Sequence, residues 1–536
     1  MTAKDKKRGS FVVQAAVLAS ASLIVRFIGF LYRMPLTELI GDEGNGIYSA
    51  GYYIYTFLLI LSSAGLPAAI SRLVSTRIAK GEYSNAHRVF KVSMAVAGTL
   101  GAIGMIVLFF FAEPIAKFVD NPESVYCIQT LAPTLLVVGI MSVYRGYLQG
   151  MNIMYPTAMS QIVEQLFNAV FSVFLAWVLV KDSIALGAAG GTAGTGIGAF
   201  AGLIIIMIFY YKERRTIREK IYIEDRGIKQ ETNRQILISL ASTAIPIIAG
   251  TAVFSMTNLI DMKMVKSLLL ASGYTDSQAN VLYGQLSGKY VTLTTLPVSI
   301  SSAMATAAIP TIAASITAGD VKMVKSKINV ALKLAMVISI PAAFGIGVLA
   351  DEILLMLFPT QHEGGALILA GAVSIAFLSM CQIVTGVLQG IGKIYIPVIG
   401  ALLGAVAKII FNALLIPIQS INVVGAVIST DACYLVAAVF DLVMLTKITG
   451  VRPYYGQMII KPVICSSIMS VGCVLSYKLF DIVFGNTIST LGSIAVGMII
   501  FLFTMLLING ITAKDFNNIP KGKSMVRFFR KIGLMR

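Results

Sequence analysis

Long apolar segments recur along the whole chain, and they restrict its fold more than any other feature. A run of about 18 or more apolar residues is long enough to cross the roughly 30 Å hydrocarbon core of a bilayer as a helix. Only 12% of the 536 residues are charged, whereas soluble domains carry about 25%. We therefore predict an all-α integral membrane protein with about fourteen transmembrane helices. The predicted spans are residues 11–33, 46–71, 89–112, 124–149, 157–180, 185–211, 236–265, 281–308, 325–350, 363–389, 396–418, 424–447, 457–480 and 488–511.

The net charge of +17 is distributed unevenly among the loops between these spans. With the N-terminus in the cytoplasm, the segments on the inner side hold 32 of the 42 Lys and Arg residues, and the outer loops hold six. Cytoplasmic loops of membrane proteins are enriched in Lys and Arg. The pattern predicts a multi-pass protein of the cytoplasmic membrane with both termini inside. It also explains the positive charge without a nucleic-acid partner.

The second half of the chain repeats the first at an offset of about 240 residues. Leu148-Gln149-Gly150 recurs as Leu388-Gln389-Gly390, and Phe167-Asn168 recurs as Phe411-Asn412. Each copy holds six predicted spans, and an even number inserts both copies in the same orientation, as parallel repeats around a central cavity. The predicted organisation is an N-lobe at 1–211, a cytoplasmic linker at 212–235, a C-lobe at 236–450, two extra C-terminal helices at 451–511 and a basic amphipathic cytoplasmic tail at 512–536.

Two local motifs and this architecture resemble a known superfamily. The segment from Gly65 to Arg72 ends the second span, and the turn Gly81-Glu82-Tyr83 follows it. The chain is similar to the multidrug/oligosaccharidyl-lipid/polysaccharide exporter superfamily, and within it to the branch of stage V sporulation protein B and MurJ-type flippases. The resemblance covers about residues 10–510. It implies a flippase that moves a lipid-linked oligosaccharide, such as a peptidoglycan precursor on undecaprenyl pyrophosphate, by alternating access.

Ionisable residues inside spans are functional candidates, because a charge at the bilayer centre costs about 2.5–3.5 kcal/mol or more without a cavity or a partner. Eight such residues are present: Arg26, Glu164, Asp261, Lys289, Lys333, Lys408, Asp431 and Asp441. Arg26 and Arg33 share one face of the first span. Arg26 and Lys289 lie at comparable depths in opposite lobes, and paired cations suit a pyrophosphate. The resemblance implies substrate binding by Arg26 and Lys289, although an arginine is expected at the position of Lys289.

Other polar residues are candidates for contacts with the head group. Arg72 and Arg145 end the second and fourth spans at the inner face, where they either meet an arriving head group or extend to lipid phosphates. The fifth span carries a polar stripe suited to sugars, which must face the protein interior. The stripe consists of Gln161, Glu164, Gln165 and Asn168. The repeat aligns Glu164 with Lys408, which has the opposite charge. This alignment suggests an ion pair between the lobes, but we favour the alternative that both residues make ordinary structural contacts.

An ion site is implied by the resemblance, because some MurJ-type proteins hold sodium among spans seven, eleven and twelve. The corresponding residues are Asp261, Asn412 and Asp431. This chain departs from the pattern, since Lys408 lies one turn from Asn412. Our hypothesis is that the Lys408 ammonium replaces sodium and neutralises Asp431. We predict no cofactor or bound metal, and any coupling is to Na⁺, H⁺ or the membrane potential.

Three further patterns have structural interpretations. The glycine-rich segment 190–198 lacks a phosphate-loop lysine and, with the Gly198 and Gly202 pair, predicts close helix packing. We predict that the five cysteines are small, buried residues with a packing role. Tyr48, Tyr52 and Tyr55 predict an aromatic belt at the membrane interface.

The sequence thus favours a transporter over an enzyme, and it leaves rival functions. These are a cation-coupled multidrug exporter of the same superfamily, a membrane glycosyltransferase or polymerase, and a scaffold that does not transport. The predicted partners are the lipid-linked oligosaccharide, anionic membrane lipids bound by the tail, and enzymes of cell-envelope synthesis. We expect a monomer.

Overall fold

The computed structural model describes residues 3–223, 230–317, 321–512 and 527. The described residues form helices and loops, with no β-strand among them, so the predicted all-α class is confirmed. The chain divides into two compact units, Met1–Gly284 and Gln285–Arg536. This division reflects where residues contact one another most densely. The lobe boundaries at 211 and 236 concern the parts that move during transport, and they remain a prediction.

The described residues of the first unit, 3–223 and 230–284, contain nine α-helices. They are α1 (Ala3–Leu59), α2 (Leu66–Ala79), α3 (Tyr83–Phe110), α4 (Ala112–Phe118), α5 (Val125–Gly150), α6 (Tyr155–Leu179), α7 (Ile184–Ile223), α8 (Asn233–Ala271) and α9 (Asp276–Gly284). A π-helical segment, Ile60–Ala64, lies between α1 and α2, and a short 3₁₀ turn, Pro122–Ser124, precedes α5.

The second unit contains eight α-helices within its described residues. They are α10 (Val291–Thr317), α11 (Val321–Val348), α12 (Ala350–Leu357), α13 (Gly365–Gly371), α14 (Ser374–Gly390), α15 (Tyr395–Leu415), α16 (Val424–Thr449) and α17 (Lys461–Leu507). Two π-helical segments, Gln285–Tyr290 and Gly456–Ile460, precede α10 and α17.

Within the described part of the chain, ten helical runs are long and apolar enough to cross a membrane, or eleven if the bent pair α13 and α14 is one span. Two of these runs, Ser20–Ala79 and Gly456–Leu507, cover 60 and 52 residues. Both contain a glycine with positive φ, Gly41 and Gly485, where the helical conformation is interrupted. At 1.5 Å per residue, each run is long enough for two crossings. The count of about fourteen remains a prediction.

The internal repeat is visible in the order of the helices. In the first half, α5 ends at Gly150 and α6 begins at Tyr155. In the second half, α14 ends at Gly390 and α15 begins at Tyr395. A short helix precedes each pair, α4 in one half and α12 in the other. The residues that revealed the repeat are therefore those that end and begin equivalent helices.

The predicted cytoplasmic linker is largely helical. Charge-rich residues continue α7 without interruption to Ile223, and α8 begins at Asn233. Thr232 caps α8 by accepting a hydrogen bond from the Gln235 backbone, and the Gln235 side chain accepts one from the Thr232 backbone. The predicted amphipathic tail lies outside the described residues, apart from residues 512 and 527.

Candidate functional site

The polar stripe of α6 is positioned by close packing against the glycine-rich face of α7. A Cβ atom built on Gly198 would lie 2.4 Å from the Glu164 carbonyl oxygen, and one on Gly202 would lie 3.0 Å from the Glu164 Cβ. Because only glycine allows such an approach, the predicted packing role of these two glycines is confirmed. The glycines bring the α6 backbone against α7 at Glu164 and Asn168, two residues of the polar stripe.

Arg145 of α5 and Glu164 of α6 form the best-defined charged contact of the stripe. The Arg145 Nη2 atom lies 2.7 Å from Glu164 Oε2, and both side chains are largely buried. Arg145 also donates a hydrogen bond to Ser160 Oγ at 2.7 Å, and Ser160 donates to the Gly202 carbonyl oxygen at 2.9 Å. The guanidinium is therefore held on α6 and α7 and points into the polar interior of the first unit. Glu164 is partnered within its own unit, as the structural interpretation predicted.

The cationic face of α1 meets the same stripe. Gly29 lies between Arg26 and Arg33 at helical spacing, so these residues share a face. A Cβ on Gly29 would lie 3.3 Å from the Gln165 amide nitrogen, which places Gln165 against this face. Arg26 is exposed, and it joins no ion pair among the side chains that the structure describes. Its guanidinium is thus available to an anion.

Arg33 occupies an aromatic environment instead. Its guanidinium lies 5.2 Å from the ring centre of Tyr48 and 6.0 Å from that of Tyr52, the range of cation–π attraction. Tyr48 and Tyr55 are buried, so the predicted interface belt is wrong. The reason is that this part of α1 is covered by neighbouring helices, as shown by Gly191 of α7, whose added Cβ would touch the Tyr48 ring.

The remaining residues of the stripe have different environments. The Gln161 side-chain carbonyl oxygen is buried and accepts no hydrogen bond from the described residues. It is an acceptor that a hydroxyl group of a sugar would satisfy. Asn168 accepts a hydrogen bond from Ser172 Oγ at 2.9 Å and packs against Gly198, so it contributes to the contact between α6 and α7.

At the end of α2, the structure distinguishes two arginines that the sequence did not. Arg72 is exposed, in agreement with either of its predicted roles. Arg77 is buried, and its guanidinium forms an ion pair with Glu231 and donates to the Leu73 carbonyl oxygen at 2.9 Å. Arg77 therefore ties the end of α2 to the residues that precede α8. No sequence pattern indicated this contact, because its partners are separated by 154 residues.

A second ionic network, also missed, connects α8 to loops of the first unit. Asp120 accepts hydrogen bonds from Lys263 Nζ, at 2.6 Å, and from Ser267. The buried Lys266 Nζ lies 3.1 Å from an oxygen of Asp276. Burial tends to raise the pKa of the Asp120 carboxyl, but the hydrogen bonds from Lys263 and Ser267 and the nearby lysine charges lower it below its usual range. These contacts hold the end of α8 in place.

Lys289, in the second unit, is part of the π-helical segment Gln285–Tyr290 and is almost completely buried. Its ammonium donates a hydrogen bond to the Glu363 carbonyl oxygen at 2.9 Å and lies 5.9 Å from the Phe358 ring centre. In the conformation described, this ammonium binds protein groups. Local π-helical turns are frequent at functional sites, and substrate binding by Lys289 remains a prediction.

The predicted ion site is divided between the units. Asp261 lies in the first unit, close enough to Tyr53 and Tyr283 for electrostatic interaction. Lys408 and Asn412 are buried on α15, and the Lys408 charge acts on Asp431 of α16. No cluster of three or more His, Cys, Asp or Glu that could hold a metal occurs in the described part of the chain. The five cysteines are buried and unbridged, which confirms their predicted packing role.

Taken together, the long apolar helices and the ionic contact between α5 and α6 define a multi-pass membrane protein. The family model described as "Polysaccharide biosynthesis protein" matches residues 11–316, and the model described as "MatE" matches residues 285–414. Because the first match covers more than half of the chain, this protein belongs to the polysaccharide biosynthesis protein family.

Individual proteins agree with this assignment. The chain is 28% identical to the lipid II flippase MurJ of Bacillus subtilis (strain 168) over 500 residues, 90% of this chain and 89% of that protein. It is 25% identical to stage V sporulation protein B of the same organism, over 95% of this chain and 98% of that protein. The predicted superfamily and branch are thereby confirmed.

Solved structures show the same fold. A structure of lipid II flippase MurJ in an inward closed conformation has a TM-score of 0.66 and 15% identity, and covers 92% of this chain and 98% of that one. An inward-facing multidrug resistance MATE family transporter of the MOP superfamily has a TM-score of 0.68 and 16% identity, and covers 80% and 98%.

Proposed function

We propose that this protein is a flippase that carries a lipid-linked oligosaccharide across the cytoplasmic membrane. The observation that carries the proposal is a pair of guanidinium groups in the first unit, one on the exposed face of α1 that meets Gln165 and one held against the polar stripe of α6. Arg26 is unpaired within the described residues, and Arg145 is held in a fixed orientation by Ser160 and Glu164. Guanidinium groups bind phosphate oxygens through parallel hydrogen bonds. The relatives named as lipid II flippase and sporulation protein support the same substrate class.

Different residues of the site bind the two parts of such a substrate, its pyrophosphate and its sugars. Arg26 and Arg145 bind the pyrophosphate of the carrier. Gln161 and Gln165 offer amide groups to the sugars, and the buried, unsatisfied Gln161 oxygen gives this contact its driving force. Glu164 competes with the phosphate for Arg145, and this competition limits affinity so that the substrate is released after translocation. These roles involve binding and orientation, and they require no catalytic residue.

Several finer points belong to the same proposal. Both termini lie in the cytoplasm, as the distribution of Lys and Arg suggests. The two predicted lobes rock about the site, with Lys289 contributing a second-lobe cation in a conformation other than the one described here. The protein acts as a monomer beside the enzymes of envelope synthesis.

The ion-coupling residues do not fit a sodium site, because a lysine is placed among them. The Lys408 charge acts on Asp431, and both Lys408 and Asn412 are buried. A tethered ammonium neutralises the carboxylate as a bound cation would. We therefore expect transport that does not depend on sodium. Sodium-stimulated flipping by the wild type would overturn this assignment.

The test is the flipping of a fluorescent undecaprenyl-pyrophosphate-linked sugar in proteoliposomes. We compare the wild type with Arg26→Gln and Arg145→Gln at matched protein insertion. Each variant is expected to lose at least about tenfold in flipping rate, because a hydrogen-bonded charge contact is worth about 1.5–3 kcal/mol. Arg215→Gln is the matched control, since Arg215 is exposed and its ion pair among the described side chains is with Glu219 on the surface of α7. Wild-type activity in both site variants would refute the proposed site.

The second candidate function is cation-coupled multidrug export, which the MatE match and the MATE structure favour. In that case the wild type would move a cationic dye and not the lipid-linked sugar. The same proteoliposomes, loaded with either substrate, distinguish the two functions. The arginines of the candidate site argue for the anionic substrate, because a cation would be repelled by them.

A further inference from the structure

A groove separate from the candidate site lies along α3 in the first unit. It consists of two adjoining cavities of about 900 Å³ and 650 Å³, which share the wall residues His87, Lys91 and Ile221. The larger cavity lies between α3 and the start of α8, and the smaller lies between α3 and the charged extension of α7. We call the two cavities together the basic groove.

One end of the basic groove is strongly cationic. Its walls include four cations, Arg88 and Lys91 from α3 and Arg214 and Arg218 from α7, and no lining residue described for either cavity is acidic. Arg88 donates hydrogen bonds to two neutral groups, Gln230 at 3.0 Å and Asn233 at 3.2 Å. None of the four cations belongs to an ion pair among the described residues. Four like charges that have no ion-pair partner among the described residues repel one another, and a bound anion would remove this repulsion.

The cation cluster is also held in place by a rigid base. His87 stacks on Phe90 with ring centres 5.7 Å apart, and Phe90 stacks on Tyr210 at 5.1 Å. Phe90 and Tyr210 belong to the same buried core of the first unit. The charges of Lys91, Arg214 and Arg218 all act on His87, so the cations from α3 and α7 surround one point.

The other end of the basic groove is apolar and long. Along α3 the larger cavity is lined from Ser84 to Leu100, which at 1.5 Å per residue is a length of about 24 Å. Beyond the cations its walls are mainly aliphatic, and they consist of Val92, Ala95, Val96, Thr99, Leu100 and, from α8, Leu237. The apolar part of this length, from Val92 to Leu100, is about 12 Å. A cationic end continuous with such a channel matches an amphiphile that has an anionic head and a hydrocarbon chain.

We propose that the basic groove binds an acidic phospholipid of the inner leaflet. Its phosphate lies among the four cations, and one acyl chain follows α3 toward Leu100. Basic pockets between transmembrane helices on the cytoplasmic side are suited to such head groups. A complete lipid-linked oligosaccharide fits less well, because the polar end offers few neutral groups for sugars beyond Gln230 and Asn233. The bound lipid would brace the charged extension of α7 against α3, whatever substrate the protein transports.

The experiment titrates purified full-length protein in detergent with phosphatidylglycerol and measures retained lipid by native mass spectrometry. Saturable retention of phosphatidylglycerol over phosphatidylcholine is expected. Lys91→Gln should weaken it about fivefold, and Arg88→Gln with Lys91→Gln about 25-fold, at roughly a factor of five for each cation near the surface. Arg215→Gln removes one charge from α7 at a residue that lines neither cavity and pairs with Glu219, and it should change binding by less than about twofold. Lys91 is exposed, so its substitution tests the proposal even if the double variant is unstable.

Other ligands, and a variant in the apolar end of the groove, show whether the bound phosphate belongs to a phospholipid, a free anion or the transported substrate. Val96→Phe narrows the channel, so it should weaken the binding of phosphatidylglycerol and leave the binding of inorganic pyrophosphate unchanged. Equal binding of inorganic pyrophosphate and phosphatidylglycerol would show a site for free anions and overturn the proposal. Selective retention of undecaprenyl pyrophosphate would assign the groove to the transported substrate, which also overturns it. Equal effects of Lys91→Gln and Arg215→Gln would mean attraction by surface charge alone.

Discussion

The packing of α7 on α6 leads to a sharp prediction for Gly198→Ala. The new Cβ would lie 2.4 Å from the Glu164 carbonyl oxygen and 2.9 Å from Asn168, whereas ordinary contacts begin at 3.4 Å. The overlap of about 1 Å is with backbone, so it cannot be relieved by rotating a side chain. Overpacking of this kind costs about 1–3 kcal/mol, and the gain from replacing a helical glycine by alanine is about 0.5–1 kcal/mol. We expect a net loss of about 1–2 kcal/mol in stability.

The matched control is Gly98→Ala on α3. It is the same chemical change in a helix, but no atom lies within 4 Å of the new Cβ. Only the gain in helical propensity remains, so this variant should be more stable by about 0.5–1 kcal/mol. The two substitutions are therefore expected to shift the melting temperature in opposite directions.

The assay uses the five buried cysteines, which become reactive toward a fluorescent thiol reagent when the protein unfolds. Transport measured in parallel should fall in Gly198→Ala, because Glu164 and Gln165 move with the α6 backbone, and a displacement of about 1 Å can cost about 100-fold in function. A Gly198→Ala protein that melts at or above the wild-type temperature would refute the argument. So would a shift in the same direction for both variants.

Three further predictions concern charged groups, each checked by the same thermal assay. Asp441→Asn should leave stability unchanged or raise it, because Asp441 is buried and its Oδ1 accepts no hydrogen bond from described residues. A large loss of stability would instead reveal a cation bound to Asp441. Lys266→Met should be tolerated, whereas Asp276→Ala should destabilise the protein by about 1–3 kcal/mol. The reason is that only Asp276→Ala leaves a buried ammonium unpaired. Equal losses of stability in the two variants would contradict this explanation. Asp120→Asn should lower stability at pH 7, and the difference from the wild type should begin to shrink only as the pH falls below about 4. A carboxyl with a lowered pKa stabilises the fold fully above its unfolded pKa and loses that contribution as the pH falls through its folded pKa. An effect of Asp120→Asn that is independent of pH would show that the ion pair with Lys263 contributes nothing.

Much of the fold was predictable, because it depends on regularities along the chain. Apolar runs of membrane-spanning length require helices, since hydrocarbon cannot satisfy an open backbone. The repeat was visible because Gly150 and Gly390 end equivalent helices, and Tyr155 and Tyr395 begin the next ones. The packing role of Gly198 followed from its spacing alone.

The contacts of the candidate site were only partly predictable. The sequence selected Arg26, Arg145 and Glu164 as chemically unusual residues, but it gave no reason to pair Arg145 with Glu164 in preference to other charges. The sequence does not distinguish Arg77 from other basic residues near the end of a span, which usually reach lipid phosphates. Its ion pair with Glu231 depends on how two distant parts of the chain pack.

The sequence by itself determined the class of this protein, its helical content, its repeat and its family, because hydrophobic length and spacing are local properties that each segment carries with it. Only the tertiary structure decided which charges meet. It paired Arg145 with Glu164, buried the Lys289 ammonium on the Glu363 carbonyl oxygen, and gathered the cations of the basic groove where no lining residue that it describes is acidic. The physical reason is that electrostatic and hydrogen-bond contacts depend on separations of a few ångströms between helices, and no periodicity along a single helix specifies them.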